Sequence, residues 1–439
     1  MSANEVKNVP DQSRRAAIGS FVGTTLEWYD FFIYGTLAAL VFGPVFFPEQ
    51  DGVVGTLAAF ATFAVGFAAR PLGSIIFGHF GDRIGRKNML VLTLMIMGIS
   101  TVLIGCIPSY AQIGVWAPVL LVLFRVLQGV ALGGEWGGAA LMSVEHAPDR
   151  KKGIFGSATQ MGSPAGSLLA VIVIAIVANS AGDGFNEWGW RIPFWASTVI
   201  VLIGLYIRAG ITESHDFEVV KKADALVKLP IGEVLRHNWK NVLVGAGLGA
   251  ANNAIYYMVA VYTLAYATGT LGLPKTDILN HLTIVSAFYL VSIPFFGWLS
   301  DRIGLRRQVV YAALLSALFV IPYFMMIDSG NPIVILLAMI IGLAVIQSAA
   351  YAPQPAIYSE LFPAKIRYTG ASLSYALPTT LIGGTTPFIA TWLFAVTKSN
   401  FAMAGYIIAL SLIAALCAEI AHRRHRKTPA AQELLTAHV

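Results

Sequence analysis

Gly78-His79-Phe80-Gly81-Asp82-Arg83-Ile84-Gly85-Arg86-Lys87 stands between two long apolar stretches, and a close copy stands between two more. The copy reads Gly297-Trp298-Leu299-Ser300-Asp301-Arg302-Ile303-Gly304-Leu305-Arg306-Arg307. Each has a Gly, then Asp-Arg four residues on, then a Gly two residues after the Arg, then further bases. Asp82 and Asp301 lie 219 positions apart (301 − 82) in a chain of 439 residues, half its length. A second signal repeats at nearly the same offset. Glu145-x-x-Pro148 leads to Lys152, and Glu360-x-x-Pro363 leads to Arg367, 215 positions later (360 − 145). Two independent motifs recurring in step predict an internally duplicated chain.

The duplicated material is written for lipid. Hydrophobic residues make up 56% and charged residues 12%, against about 25% charged in a soluble domain, and the mean hydropathy is +0.70. A helix needs roughly 20 apolar residues to cross a bilayer. Twelve stretches qualify: 16–42, 54–80, 88–108, 117–146, 153–178, 191–209, 240–268, 278–299, 308–327, 331–358, 369–396 and 401–421. The fold class expected is therefore an all-α membrane protein, with twelve transmembrane helices in two six-helix bundles. The divisions are a tail at 1–15, a first bundle at 16–209, a polar linker at 210–239, a second bundle at 240–421 and a basic tail at 422–439. The linker reads as a solvated helical connection. With equal span numbers in each half, the repeats are parallel, related by an axis along the membrane normal.

Charge placement predicts the topology. If both termini share one side, 24 of the 29 Lys and Arg lie there; Arg191, Lys275 and Lys398 lie opposite, and Arg70 and Arg125 lie within spans. By the positive-inside rule both termini face the cytoplasm. The net charge of +6 is distributed as topology signals, which argues against a nucleic-acid partner. Cys106 and Cys417 sit in separate apolar runs and suggest neither a disulfide framework nor a metal site. The runs of glycine in the fourth span follow no strand and precede no Gly-Lys-Ser/Thr, so no phosphate cradle is expected. No cofactor, metal or catalytic constellation is expected, and the remaining energy source is an ion gradient.

These residues resemble the major facilitator superfamily. Gly78-x-x-x-Asp82-Arg83-x-Gly85-Arg86-Lys87 is similar to its turn between the second and third spans, and Glu360-x6-Arg367 to its signature after the tenth. Finer features resemble the metabolite:proton symporter branch, which includes shikimate, 2-oxoglutarate, dicarboxylate and proline/betaine carriers. They are Glu27-Trp28-Tyr29-Asp30-Phe31, Ala69-Arg70-Pro71-Leu72-Gly73, Gln128-Gly129 with Gly133-Gly134-Glu135-Trp136-Gly137-Gly138, and Trp188-Gly189-Trp190-Arg191-Ile192-Pro193-Phe194. The resemblance implies a bacterial inner-membrane carrier, functional as a monomer, whose partners are a small molecule, a proton and the bilayer. Betaine carriers of the osmosensing kind are expected to continue into a long helical tail, which ranks that subgroup second.

Five ionisable residues lie within the predicted spans of the first half: Glu27, Asp30, Arg70, Arg125 and Glu135. Facing lipid, each would cost a few kcal/mol, so such groups normally line a cavity or pair with one another. Depths estimated from a rise of about 1.5 Å per residue suggest Asp30–Arg125 and Arg70–Glu135 as pairs, with Arg70–Glu27 as a rival. Asp30 is expected to accept the proton and Arg125 to switch it, as the resemblance to sugar porters also implies, with Glu135 and Glu27 as further proton sites. A fixed ion pair that only locks helices is the alternative. Arg70 can hold a carboxylate bidentately and is the expected substrate clamp, assisted by Tyr34 and Gln128.

In the second half no ionisable side chain lies deep in a span, and the expected substrate contacts are Asn252, Asn253, Tyr256, Gln347, Tyr351, Gln354 and Tyr375. Gln347, Tyr351 and Gln354, at i, i+4 and i+7, share one helix face. As single residues, such groups serve equally well to join helices. The repeated turn is expected at the cytoplasmic surface as a gate: Asp82, Arg83 and Arg86 with Glu145, and a twin of Asp301, Arg302, Arg306, Glu360 and Arg367. The function expected is proton-coupled uptake of a small organic acid or similar metabolite by alternating access. The rivals are uncoupled facilitated diffusion or exchange, symport of a zwitterion such as betaine or proline, and, from other classes, a membrane enzyme or channel.

Overall fold

The computed structural model describes residues 3–49, 52–182 and 184–426; the expected basic tail beyond 426 lies outside them. No strand occurs among the described residues. Among the described residues twelve long helices carry the fold. They are α1 (Ala3–Leu37), α2 (Gly52–Ile84), α3 (Arg86–Cys106), α4 (Trp116–Glu145), α5 (Asp149–Ala181), α6 (Gly189–Ala209), α7 (Trp239–Gly269), α8 (Lys275–Ile303), α9 (Leu305–Asp328), α10 (Pro332–Leu361), α11 (Ala364–Thr397) and α12 (Phe401–Arg423). From α3 to α12 every helix is long and apolar enough to cross a membrane. The charged α1 and α2 complete the twelve spans, six in each half. One boundary differs from expectation: α1 begins at Ala3, so residues 3–15 extend the first helix instead of forming a separate tail.

Two compact units divide the chain. The first runs to His146 and resumes at Ala158–Lys228; the second takes Ala147–Ser157 and everything from Leu229. The first unit's core joins two of its sequence motifs. Trp190 and Phe194, from the Trp188–Phe194 motif, pack on Phe42 and Phe46, with Phe42–Trp190 centroids 5.6 Å apart and Phe46–Trp190 centroids 5.8 Å apart. Such pairs contribute about 0.5–1.5 kcal/mol each beyond area burial. Tyr29 of the Glu27–Phe31 motif donates to the Pro193 carbonyl at 2.6 Å. Both motifs therefore have a packing role whatever else they do. The second unit's core gathers Tyr262, Tyr266, Tyr323, Phe324, Ile335, Met339 and Ile407 from α7, α9, α10 and α12.

The repeated turn is tighter and more buried than expected. Asp82 and Arg83 belong to the last turn of α2 and Arg86 opens α3, so a single residue, Gly85, makes the break. Its φ of +117° is costly for a residue with a Cβ, and a Cβ there would also overlap the Glu213 carboxylate. Gly304, at φ +99°, makes the equivalent break between α8 and α9. Asp82 is 1% and Arg86 0% exposed, so both side chains are covered by neighbouring protein at this end of the helices.

The linker is corrected as well. It holds two short helices, His215–Lys222 and Pro230–His237, and its first half folds onto the turn. Ser214 caps the first helix by accepting from Phe217 N and also accepts from Arg86 Nη1 at 2.5 Å. Glu213 accepts from the Lys87 backbone N–H at 3.2 Å. The Phe217 ring lies 5.7 Å from the Arg86 guanidinium. Ile211, Ser214 and Phe217 are buried, so this half of the linker is part of the first unit.

Among the described residues four wide turns of the i→i+5 kind occur: Ala38–Phe42 directly after α1, Met258–Tyr262 within α7, Ile341–Gln347 within α10 and Thr379–Gly383 within α11. Turns of this kind are rare and occur often at functional sites. Here Gln347 closes one of them, Tyr256 and Tyr257 immediately precede another, and Tyr375 stands just before the third in the second unit.

Candidate functional site

In the first unit a polar chain crosses the apolar core. Asp30, on α1, accepts from the Thr101 hydroxyl of α3. Thr101 accepts from Gln128 Nε2 at 2.6 Å, and Gln128 Oε1 accepts from Arg125 Nη1 at 2.9 Å. Arg125 and Gln128 are three residues apart on α4, one turn of a helix, so the amide lies within reach of the guanidinium. The Arg125 guanidinium also lies over the Tyr34 ring, 4.2 Å from its centroid, while the Tyr34 hydroxyl bonds Thr62 at 2.5 Å. All of these side chains are buried. The expected partners Asp30 and Arg125 are thus connected through Thr101 and Gln128, of which Gln128 was foreseen as a substrate contact and Thr101 not at all.

Of the two expected homes for Arg70, the structure takes the rival. Arg70 Nη2 lies 3.6 Å from Glu27 Oε1, and the guanidinium is 4.8 Å from the Phe67 ring centroid. Neither carboxylate oxygen of Glu27 has a hydrogen-bond partner among the described residues. The pair is held by charge at modest distance and is not locked by hydrogen bonds.

Glu135 belongs to a different partner. Arg208, at the end of α6, grips it with two nitrogens, Nη2 on Oε1 and Nη1 on Oε2 at 3.2 Å. Thr93 of α3 donates to Oε2 at 2.6 Å, and the Leu90 carbonyl accepts from Arg208. The proposed Arg70–Glu135 pairing is therefore wrong. In the sequence Arg208 ends an apolar run beside charged residues and falls among the 24 bases of one side; in the fold it is 2% exposed. Gly23 makes room for it, since a Cβ there would overlap the guanidinium. The sequence held one signal for the pair: a bare Arg four residues before the first polar run of the linker, opposite a buried Glu that needed a cation.

The gate residues divide between the two units. In the first, Arg86 pairs with Glu145 at 2.9 Å while Arg83 is exposed. In the second, Arg306 pairs with Glu360, Arg302 lies 4.0 Å from the Trp298 ring centroid, and Arg367 Nε donates to the Phe362 carbonyl at 3.2 Å. Asp301 accepts from the backbone N–H of Gly153 at 2.6 Å and of Ile154 at 2.9 Å. These are the unpaired amides that open a helix, where a carboxylate is favoured. The first copy's Asp82 and the second copy's Asp301 thus share a motif but differ in burial.

The second unit offers uncharged polar groups. Asn252, Gln347, Gln354, Tyr351 and Tyr375 are all buried, and Tyr256 stands edge-on to Tyr257 with centroids 5.3 Å apart. Asn253 donates to the Gly249 carbonyl of its own helix at 2.9 Å, the least promising of the set. Tyr289 of α8, overlooked in the sequence because it is a lone phenol in an apolar run, stacks on Tyr351 at 6.5 Å and lies among Tyr256, Gln347 and Tyr375. Asn252 Oδ1, Gln347 Oε1 and Gln354 Nε2 are buried without hydrogen-bond partners among the described residues. Each such atom costs about 1–3 kcal/mol, so three in one unit suggest places for ligand groups. Among the described residues no cluster of His, Cys, Asp and Glu could hold a metal ion.

Comparison with known proteins gives one answer at every level. The Major Facilitator Superfamily family matches residues 21–377 and, again, 246–438. The shikimate transporter of Escherichia coli (strain K12) is 43% identical over 411 residues, covering 93% of this chain and 94% of the relative. The inner membrane metabolite transport protein YhjE of the same strain is 41% identical over 420 residues, 94% of each. The proline/betaine transporter of Salmonella typhimurium is 35% identical over 441 residues, 97% of this chain and 87% of the relative. Among solved structures, the proton:xylose symporter XylE bound to 6-bromo-6-deoxy-D-glucose superposes with a TM-score of 0.77 at 18% identity, over 94% of this chain and 96% of that one, a likeness of fold.

Proposed function

Because the chain belongs to the major facilitator superfamily, a family of membrane transporters and not of enzymes, we propose that it is a proton-coupled symporter taking up a small organic acid by alternating access. The site in the inner membrane, with both termini cytoplasmic, is part of the same reading. It is supported by the concentration of basic residues at one set of helix ends and by the likeness to the inner membrane metabolite transport protein YhjE.

The observation that carries the reading is the loose pair of Arg70 and Glu27 beside the Asp30–Thr101–Gln128–Arg125 chain. A guanidinium has five donors, and that of Arg70 forms no hydrogen bond among the described residues. A substrate carboxylate can therefore claim it bidentately. Glu27 and the substrate then compete for one cation. Binding the anion releases Glu27 to hold a proton, and substrate and proton load together. Asp30 stands at the far end of a relay from Arg125 and is the second proton position; a shift that breaks the relay at Thr101 changes what balances its charge. Organic acid as the substrate class is supported by the shikimate transporter relative and by the Arg70 guanidinium, which forms no hydrogen bond among the described residues.

The test is uptake of labelled shikimate and other carboxylates into proteoliposomes, with an imposed pH gradient and with a protonophore. Accumulation that collapses with protonophore supports the reading; equal uptake with and without a gradient overturns the coupling. Labelled proline and glycine betaine belong in the same screen, because the relatives named for those zwitterions align over 97% of this chain.

A further inference from the structure

A cavity of about 140 Å³ opens in the second unit where α7, α9 and α11 end and α12 begins. It lies at the far end of α9 from the basic turn, since Arg306 and Arg307 open that helix and Asp328 closes it. A 24-residue helix is roughly 36 Å long, so the cavity sits at the opposite membrane boundary from that turn. It plays no part in the polar chains described above.

Its rim is built to hold the exposed Asp328 carboxylate in place. Asp328 Oδ1 accepts from the Tyr266 hydroxyl at 2.8 Å and from Asn400 Nδ2 at 2.9 Å, while the buried Asn400 is itself fixed by accepting from Tyr262 at 2.7 Å. The walls are aromatic: Tyr266, Phe324 and Phe394 line the space, with Tyr266 and Phe394 edge-on at 5.1 Å. Lys398 lines the same cavity yet forms no ion pair with Asp328, or with any other acid among the described residues. Opposite charges that share a cavity without meeting leave room for a ligand that carries both. Aromatic faces beside a carboxylate favour an ammonium group, and the lysine favours an anion.

We infer that this cavity binds a zwitterion whose ammonium and anionic groups are a few bonds apart, the ammonium at Asp328 and the anion at Lys398. Two sources share that chemistry, an ethanolamine phospholipid headgroup and a free zwitterionic solute. The lipid is favoured by the mouth, where Met325 and Phe401, each 64% exposed, line the same cavity and offer apolar surface to an acyl chain.

The experiment uses the full chain in phosphatidylglycerol nanodiscs doped with phosphatidylethanolamine, read by native mass spectrometry, together with calorimetric titration by phosphoethanolamine and by glycine betaine. Asp328→Asn keeps acceptor geometry for Tyr266 and Asn400. Lys398→Asn suits the left-handed backbone at that position, φ +54°. Loss of one charge-assisted contact should weaken retention of the ethanolamine lipid about tenfold in either variant, with phosphatidylglycerol retention unchanged. If instead only the soluble zwitterions bind, and do so less in both variants, the site stands and its ligand is a free solute. If neither lipid nor solute distinguishes wild type from the variants, the inference is overturned. Should Asp328→Asn fail to fold, the exposed Lys398 carries the test alone.

Discussion

Arg208 and Glu135 show how much one buried side chain can decide. Removing the cation from a buried pair typically costs about 3–5 kcal/mol, because it leaves an uncompensated charge, whereas removing both charges is often neutral. Arg208→Met should therefore lower the thermal midpoint of the purified protein sharply, and Arg208→Met with Glu135→Gln should recover most of the loss. If the double variant is as unstable as the single one, the pair is not what holds that corner. Arg70 obeys a different rule, since its contact with Glu27 is loose. Arg70→Lys keeps the charge and loses the bidentate fork. Its KM for a carboxylate substrate should rise about 10- to 100-fold, the worth of one charged hydrogen bond, with little change in stability. Unaltered KM would exclude Arg70 as the clamp. Neither partner choice was legible from spacing. Depth along a helix can be counted from sequence, but a rotation of one residue changes which neighbour a side chain meets, and Glu27, Glu135 and Arg208 are separated by such small steps.

At the scale of the helix, the sequence carried more. Twelve apolar runs were visible because a spanning helix must satisfy its backbone internally and show lipid a continuous apolar surface. The sharp stop at the repeated turn was visible in Gly85 and Gly304. What was hidden is that the turn is one residue long, and that linker residues Glu213, Ser214 and Phe217 close over it. The four wide turns were hidden too, since nothing in Ala38–Phe42 or Ile341–Gln347 reads differently from an ordinary apolar helix. Close helix approach gives a prediction at this scale. Gly133 of α4 faces the Arg70 carbonyl of α2, with no room for a Cβ, while Ser74 donates to the Gly133 carbonyl at 2.7 Å. Gly133→Ala should force α2 outward and cost about 1–3 kcal/mol, as overpacking does. It should also displace Arg70, so uptake should fall further than the drop in thermal midpoint explains. Normal uptake with normal stability would mean that the contact yields without consequence.

Across the whole molecule the duplication is strict in topology and broken in chemistry. Each unit has six spans, a one-residue Gly break and an Arg–Glu pair below it, Arg86 with Glu145 and Arg306 with Glu360. Only the first unit buries Glu27, Asp30, Arg70, Arg125, Glu135 and Arg208 within its helices; the second answers with Asn252, Tyr289, Gln347, Gln354 and Tyr375. Five of these six ionisable residues were legible in the sequence because they interrupt apolar runs; Arg208, at the end of one, was not. The contrast predicts that proton coupling belongs to the first half, and that can be measured. Gln347→Ala removes an amide whose Oε1 has no partner among the described residues, so the fold should tolerate it. The expected result is a substrate Kd several-fold weaker, consistent with one neutral hydrogen bond of about 1 kcal/mol, with accumulation still collapsed by protonophore. Asp30→Asn should do the converse: substrate still binds, with Kd within about threefold of wild type, a shift of under 1 kcal/mol, while a pH gradient no longer drives accumulation. Calorimetric binding and gradient-driven uptake, measured on both variants, separate the two roles. If Gln347→Ala uncouples transport, or Asp30→Asn abolishes binding while leaving the protein folded, proton coupling does not belong to the first repeat alone, and the asymmetry of charge must have another origin.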